Sequence, residues 1–238
     1  MRKRSLIGLG AGVAAAGAAT FAYASLIERN LFTLRRFDVP VLEPDAEPLR
    51  ILHLSDLHMM PDQRRKQGWV AALRGTDPDL VVVTGDNMAS PEAVPGVLRA
   101  LDPFLTLPGA FVFGSNDYRG PVWRNPLAYL LPEREYVQGA DLHIGVTHTP
   151  ASRVLNAMAA DGFALLLAGH THGGQVCVPG YGALTTNCDL PHAMAKGLHR
   201  WPGSEAWLHV SAGVGTHPTA PIRFACRPEA TVLTLIPR

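Results

Sequence analysis

The chain has 238 residues, of which 47% are hydrophobic and 17% are charged, and its formal net charge is +1. This length is enough for one large domain or two small ones with a substantial core. The near-zero net charge gives no electrostatic reason to expect a nucleic-acid partner. The three cysteines are far apart and show no C-x-x-C spacing, and their odd number leaves at least one thiol unpaired. A disulfide framework is therefore not indicated.

The first 27 residues carry a membrane-targeting signal. Arg2-Lys3-Arg4 precedes an uncharged stretch from Ser5 to Ile27 that is long enough to span a bilayer. Ala22-Tyr23-Ala24 resembles the cleavage site of a signal peptide, so residues 1–27 are predicted to be either removed or kept as an anchor. Basic residues at the extreme N-terminus favour its retention in the cytoplasm. We therefore expect a membrane-associated protein with its folded domain outside the cytoplasm, or a cleaved, secreted form of it.

Residues 28–48 contain three prolines and are expected to form a linker with one edge strand at Thr33–Val39. Residues 49–238 are expected to form one α/β domain, because short apolar runs alternate with segments of helical composition. The first predicted strand begins at Leu49 and stops just before Asp56. The later predicted strands are Leu80–Thr84, Ala110–Phe113, Leu142–Thr147, Phe163–Ala168, Trp207–Ala212, Ile222–Cys226 and Thr231–Ile236. The predicted helices are Asp62–Arg74, Pro91–Leu101, Pro126–Leu131 and Ala151–Ala160.

Each of the first five strands is followed at once by polar side chains that can bind a metal. Asp56 and His58 are two residues apart, and side chains i and i+2 of a strand point the same way, so these two could reach one point. Open α/β sheets place their ligand sites beyond the carboxyl ends of the strands. We therefore expect one metal-binding rim, formed by Asp56, His58, Asp86, Asn116, His148, His170 and His172.

These blocks resemble the calcineurin-like metallophosphoesterase family, whose pattern is D-x-H, G-D, G-N-H-[D/E], a lone H and G-H-x-H, in that order. Here they read Asp56-Leu57-His58, Gly85-Asp86-Asn87, Gly114-Ser115-Asn116-Asp117, His148 and Gly169-His170-Thr171-His172. The extension Gly173-Gly174-Gln175-Val176, together with the membrane-targeted N-terminus, is most similar to the bacterial branch of membrane-associated phosphodiesterases. The resemblance covers residues 50 to 238.

The resemblance implies a four-layer α/β/β/α sandwich of two mixed sheets. It also implies a two-metal hydrolase of phosphoric esters, a phosphodiesterase rather than a monoesterase, that attacks with a hydroxide held between the metals. Mixed nitrogen and oxygen ligands suit Mn, Fe, Zn or Co. A lipid-linked substrate is suggested by the membrane segment alone, and the oligomeric state is left open. Carried over by position, one metal would be held by Asp56, His58 and His172, the second by His148 and His170, with Asp86 as the bridge.

The third block departs from the family pattern. Aligned without a gap, Ser115 takes the place of the amide ligand and Asn116 that of the histidine, the family's usual proton donor to the leaving group. If the loop is shifted by one residue, Asn116 instead supplies its side-chain oxygen to the second metal. Asn116 and Asp117 are thus the candidate catalytic residues of this block, and Asn116 is also a candidate ligand.

The segment Tyr118–Thr147 is shorter than its counterpart in the family, which usually inserts further strands and a helix there. Its shortness predicts an exposed sheet edge or a cavity beside the neighbouring strands. Both departures also favour an alternative function, that of a catalytically weakened homologue that binds a phosphorylated ligand without useful turnover.

Overall fold

The computed structural model describes residues 2–119, 141–217 and 219–238. The helices are α1 (Arg2–Ala22), α2 (Arg64–Ala72), α3 (Val94–Leu101), α4 (Ser115–Arg119) and α5 (Ser152–Ala160). The first six strands are β1 (Thr33–Leu42), β2 (Leu49–Leu54), β3 (Leu80–Val83), β4 (Gly109–Phe111), β5 (Ile144–Val146) and β6 (Leu165–Ala168). The remaining strands are β7 (Cys177–Val178), β8 (Gly182–Ala183), β9 (Gly197–Arg200), β10 (Trp207–Val210) and β11 (Glu229–Pro237).

Two mixed sheets form the domain. The first has the strand order β1-β11-β2-β3-β4, and the second has the order β5-β6-β10-β9, while β7 and β8 form a separate hairpin. Within the first sheet β2, β3 and β4 are parallel, and within the second β5, β6 and β10 are parallel. The segments that leave the carboxyl ends of β2, β3, β4, β5 and β6 carry the predicted metal-binding residues.

Side-chain alternation along the strands builds four layers. In β3, Val81 and Val83 pack with α2 and α3, whereas Val82 faces the second sheet. In β6, Leu165 and Leu167 face the first sheet, and Leu166 packs with α5. Burial of each such side chain contributes about 1.5–3 kcal/mol. The order helix, sheet, sheet, helix confirms the predicted α/β/β/α sandwich of two mixed sheets.

The predicted elements are largely present, with shifted ends. The edge strand expected at Thr33–Val39 within the linker 28–48 is β1, which pairs in parallel with β11. The strand predicted at Ile222–Cys226 is wrong. Only an isolated bridge between Val176 and Phe224 forms there, because Ala225 has a left-handed backbone with φ 51° that a strand cannot contain. The helix predicted at Pro126–Leu131 lies outside the described residues.

Strand β4 ends the first sheet on its outer side, as far as the described residues show. Its Phe111 is 63% exposed. An apolar cavity of about 520 Å³ lies beside it, lined by Leu98, Leu105 and Phe113 among others. This edge and cavity agree with the consequence predicted for the short segment Tyr118–Thr147, of which residues 120–140 lie outside the described part.

Two fully buried histidines meet where the sheets face each other. His53 Nδ1 in β2 lies 2.8 Å from His209 Nδ1 in β10, and His53 Nε2 lies 3.0 Å from Thr84 Oγ1. Two ring nitrogens this close share one proton, so the contact requires at least one of the two rings to be uncharged. Burial lowers the pKa of His53 to about 3 and that of His209 well below its usual value. The pair is therefore held neutral inside the sandwich.

We expect this histidine pair to make the free energy of unfolding depend more steeply on pH in the acidic range. Between about pH 6.5 and pH 3 the unfolded chain binds protons that the folded pair rejects, so the free energy of unfolding falls as the pH falls. Each histidine contributes up to about 1.4 kcal/mol per pH unit. Denaturant unfolding in EDTA at several pH values should therefore show a shallower pH dependence for the double variant His53→Leu/His209→Leu than for the natural chain. The exposed-site variant His192→Leu is the control, and parallel curves for the natural chain and the double variant would contradict the expectation.

Candidate metal centre

The predicted ligands sit on an unusual backbone. Five of the seven have a left-handed conformation: Asp56 (φ 48°), His58 (φ 36°), Asp86 (φ 53°), His170 (φ 71°) and His172 (φ 51°). Each left-handed non-glycine residue costs about 1–2 kcal/mol. Such strain persists where the surrounding structure imposes it, which is typical of functional sites.

This backbone corrects the reason given for the convergence of Asp56 and His58. Strand β2 ends at Leu54, so the two residues lie beyond it and do not share a strand face. Their amides donate to the carbonyls of Gly85 and Asp86, at 2.9 Å each. The loop after β2 is thus laid against the loop after β3, and this contact with the left-handed backbone brings the side chains together.

Asp56 lies at the centre of the site and is completely buried. Its Oδ2 accepts hydrogen bonds from Ser55 Oγ at 2.5 Å and from the His170 amide at 2.9 Å. Its Oδ1 is buried without a hydrogen-bond partner and lies 3.6 Å from His172 Nε2. Gly169 is required beside it, because a Cβ there would overlap the side chains of Ser55 and Asp56. One carboxylate oxygen is thus fixed by the protein and the other is left available.

Asp86 links the two histidine groups. Its Oδ2 lies 3.5 Å from both His58 Nε2 and His148 Nε2. The same oxygen accepts from Asn116 Nδ2 at 2.6 Å, and Oδ1 accepts from the Asn116 amide at 2.9 Å. His58 Nε2 in turn lies 3.1 Å from His172 Nε2. Asp86 therefore lies between the residues predicted for the first metal and those predicted for the second.

Backbone carbonyls fix the tautomers of two histidines. His148 Nδ1 donates to the Thr84 carbonyl at 2.7 Å, which leaves Nε2 facing Asp86. His170 Nε2 lies 3.2 Å from the Asn187 carbonyl oxygen and 3.3 Å from the Asn187 side-chain nitrogen, and donation to the carbonyl leaves Nδ1 with its lone pair. His170 Nδ1 lies 3.3 Å from His148 Nε2. His148 Nε2 and His170 Nδ1 thus point at one place, and hydrogen bonds of this kind are what orient ligating histidines.

The protonation states also favour cation binding. Burial lowers the pKa of His58 to about 3 and that of His170 to about 4, so both imidazole rings are uncharged at neutral pH. Burial raises the pKa of Asp56 to about 6. Burial would also lower the pKa of His148, but the hydrogen bond and charge of Asp86 raise it to about 9. A proton on His148 thus balances the buried carboxylates, and a cation could replace it.

The donors fit divalent metal ions. Two groups have all their donor atoms within 4.8 Å of one another, namely Asp56 with His58 and His172, and Asp56 with Asp86 and His148. Asp56 belongs to both groups, whereas the sequence assigned the shared position to Asp86. Ligands of one transition-metal ion lie about 3–3.5 Å apart, close to the separations of 3.1–3.6 Å seen here. The unpartnered Asp56 Oδ1 and the nitrogen–oxygen donor set both suit such an ion.

The structure shows the contacts of the third block, Gly114-Ser115-Asn116-Asp117, for which the sequence allowed two arrangements. Asn116 reaches the site through its hydrogen bonds to Asp86, whereas among the described residues no hydrogen bond joins Ser115 to another predicted ligand. A half-turn of the Asn116 amide would present its oxygen where its nitrogen now faces Asp86. The Asp117 carboxylate instead accepts from the Asn87 amide at 2.7 Å and the Gly114 amide at 3.0 Å. Asp117 therefore ties the second and third blocks together and is not brought to the cluster of donors.

Sequence reasoning passed over Arg223, which is fully buried behind His172. Its guanidinium donates to the carbonyl oxygens of Ala212 at 2.7 Å, Gly213 at 3.1 Å and His172 at 3.3 Å. Its Nη2 also lies 3.3 Å from His172 Nδ1. An arginine inside a segment predicted as a buried strand was the available signal, because arginine is rarely buried without a specific role.

His217 lies at the mouth of the site. Its ring contacts that of His58 edge-on, with 5.8 Å between the centroids. It lines a cavity of about 430 Å³ together with Asp86, Asn116, His170 and His172. His217 follows Gly213 and Gly215 in the loop after β10, and its tertiary contacts place it beside the donors.

Comparison with known proteins places this architecture in a family. Residues 49–187 match the calcineurin-like phosphoesterase superfamily domain. The chain is 26% identical over 226 residues to the uncharacterized metallophosphoesterase YkuE of Bacillus subtilis, covering 77% of this chain and 76% of that protein. It is also 26% identical over 257 residues to the phosphodiesterase YaeI of Escherichia coli, covering 91% and 93%. A third relative is the uncharacterized metallophosphoesterase YkoQ of Bacillus subtilis, 26% identical over 231 residues, covering 79% and 84%.

The two-sheet sandwich and its rim of carboxylates and imidazoles define a metal-dependent phosphoester hydrolase. The chain belongs to the calcineurin-like phosphoesterase superfamily.

Proposed function

We propose that this chain is a phosphodiesterase that works with two divalent metal ions, Mn, Fe, Zn or Co. The observation that carries the proposal is the pair of overlapping donor groups joined by buried carboxylates. Two nearby cations need anionic ligands between them, and Asp86 contacts histidines of both groups while Asp56 belongs to both. The first ion is assigned to Asp56, His58 and His172, and the second to His148, His170 and Asn116, with Asp86 between them.

The metal pair would lower the pKa of a water molecule and neutralise the charge that develops on the phosphoryl oxygens. The chain's own residues prepare the site for this. Carbonyls of Thr84 and Asn187 hold the imidazole protons on the outer nitrogens of His148 and His170. Ser55 and the His170 amide hold Asp56 in one orientation. The donors therefore need little rearrangement when the cations bind.

The adjoining cavity supports a diester in preference to a monoester. It extends about 430 Å³ from the metal centre and is lined partly by apolar and neutral side chains, including Leu184, Thr186 and Ile222. A second substituent on the phosphate has room there and meets groups that can contact it. The relative YaeI is named a phosphodiesterase. Both observations support diester hydrolysis in this chain.

We also propose that the N-terminal segment anchors the domain at a membrane, with the domain outside the cytoplasm. Among the described residues, one helix, Gly10–Asn30, is long and apolar enough to cross a bilayer, and little of it is buried. The end of this segment contacts the domain close to the site. Ala24 accepts from the Arg223 amide at 3.1 Å, and Glu28 Oε1 accepts from the Cys226 amide at 2.9 Å. These contacts favour a substrate presented near the membrane surface, such as a lipid-linked phosphodiester.

The second candidate function is a weakened homologue that binds a phosphorylated ligand without useful turnover. Asn116 favours it, because this block offers no imidazole to protonate a leaving group. The complete set of donors around Asp86 favours the enzyme instead. Turnover of a simple diester separates the two functions.

The test uses membranes from cells that produce the full chain or a chain that begins at Glu28. After loading with Mn²⁺, we expect the membrane fraction of the full chain to hydrolyse bis(4-nitrophenyl) phosphate faster than 4-nitrophenyl phosphate, and EDTA to abolish both activities. The shortened chain should leave the membrane fraction, as detected by an antibody. Metal-loaded protein that does not hydrolyse the diester would support the weakened homologue. If the full and shortened chains are distributed equally between the membrane and soluble fractions, the proposed membrane anchor is wrong.

A further inference from the structure

Two cysteines lie side by side behind the metal centre. Cys177 and Cys226 are 3% and 1% exposed and share a small apolar cluster with Ala183, Ala195 and Ala212. Both sulfur atoms approach the same acceptor, the Gly173 carbonyl, at 3.2 Å from Cys177 and 3.5 Å from Cys226. Their sulfur atoms are therefore neighbours in the folded protein.

Backbone hydrogen bonds hold the two segments that carry these cysteines next to each other. Val176 and Phe224 form an isolated parallel bridge. The Cys177 amide donates to the Phe224 carbonyl at 2.8 Å, and the Phe224 amide donates to the Gln175 carbonyl at 3.1 Å. Each cysteine thus belongs to one of two hydrogen-bonded segments. The backbone contacts between these segments keep the two sulfur atoms close together.

We propose that Cys177 and Cys226 form a disulfide bond when this chain folds in an oxidising compartment, and that Cys188 remains a free thiol. The oxidant is a disulfide donor, such as oxidised glutathione or a protein of the thiol–disulfide oxidoreductase class. One cysteine attacks the donor to give a mixed disulfide and one donor thiol, and the second cysteine displaces the other. Two S–H bonds are lost, one S–S bond forms, and two electrons and two protons pass to the donor's thiols. The two sulfur atoms, which both contact the Gly173 carbonyl, have to approach to about 2.05 Å.

The bond would join the two segments that hold His172. Gly173 to Cys177 follow this histidine directly, and Arg223, which contacts its carbonyl and ring, lies three residues before Cys226. Cys226 Sγ itself lies 3.4 Å from the His172 carbonyl oxygen. A covalent link here would keep residues 173–177 and 223–226 together behind the metal centre when the rest of the domain fluctuates. Compartments outside the cytoplasm allow such bonds, whereas the cytosol keeps most thiols reduced.

The experiment maps the bond in the full chain without metal, so its outcome is independent of the proposed activity. The detergent-solubilised protein is unfolded with reductant, refolded in EDTA over mixed oxidised and reduced glutathione, and alkylated with iodoacetamide. Digestion with trypsin and chymotrypsin cleaves after Tyr181, which separates Cys177 from Cys188 for mass spectrometry. We expect a peptide pair linked through Cys177 and Cys226, with Cys188 alkylated.

Thermal unfolding provides the second readout. We expect the oxidised protein to melt about 5–15 °C above the reduced protein, as a disulfide of ordinary strength gives in a domain of this size. Cys188→Ser should keep this difference, whereas Cys177→Ser and Cys226→Ser should abolish it. A refolded natural chain in which Cys177 and Cys226 are both alkylated, carry glutathione, or are linked to Cys188 would overturn the proposal, whatever the variants do.

Discussion

Asp86→Ala is expected to lose both metal ions and the hydrolytic activity that depends on them. Without this carboxylate, the two cations would lose the anionic ligand assigned between them, and Asn116 would lose the group that holds it. The loss in kcat/KM should exceed the roughly 10²–10³-fold that removal of a single electrostatic group costs. Metal content by elemental analysis and turnover of bis(4-nitrophenyl) phosphate, measured on the same preparation, check the expectation.

The exposed carboxylate Asp45 provides the matched control, since Asp45→Ala removes one negative charge far from any predicted ligand in sequence and should change neither metal content nor turnover. Asp56→Ala is the informative comparison, because Asp56 belongs to both donor groups. If Asp86→Ala keeps two metals per chain while Asp56→Ala keeps none, the bridge is Asp56 and the assignment made for Asp86 is wrong.

The altered third block should make the enzyme depend strongly on the leaving group. A positioned acid typically contributes about 10²–10⁴-fold, and it matters most when the departing alkoxide is a poor leaving group. Neither Asn116 nor Asp117 is placed to act as that acid, since Asp117 is engaged by the amides of Asn87 and Gly114. We therefore expect good turnover of nitrophenyl diesters and disproportionately slow turnover of dialkyl diesters, measured at equal metal content.

Substitution of Asn116 tests which place in the block it occupies. Its side chain lies 2.6 Å from Asp86 Oδ2, so we expect Asn116→His to lower metal content and to slow both kinds of ester together. Ser115→Ala, the matched control, should alter neither, whereas it would lose metal if Ser115 took the ligand's place. A selective rise in dialkyl-ester turnover in Asn116→His, with metal content unchanged, would instead put Asn116 in the proton donor's place.

The order of the polar blocks and their positions after strands could be read from the sequence. Apolar runs such as Leu80–Val83 specify buried strands whatever surrounds them, because both faces must be covered. Parallel strands deliver their carboxyl ends to one edge, so a common rim for Asp56, Asp86, His148 and His170 could be predicted from their positions directly after strands. The two-sheet sandwich rested on the family resemblance, and the structure confirms it.

Contacts between distant segments settled what the sequence left open. The convergence of Asp56 and His58 was predicted for the wrong reason, since it depends on left-handed backbone and on amides bonded to the next loop. The sequence allowed either of two places for Asn116, and its contact with Asp86 favours the ligand's place. The strand predicted at Ile222–Cys226 failed because the segment bends to bury Arg223 behind His172.

The sequence by itself determined the class of this protein, because metal-binding side chains at strand ends and an apolar N-terminus are local patterns that need no partner to be recognised. Only the tertiary structure decided which donor atoms face one another, which tautomers the histidines adopt and that Cys177 meets Cys226. These features depend on packing between segments far apart in the chain, where a shift of one residue or a rotation about one bond redirects a side chain. No local pattern of residues encodes that geometry.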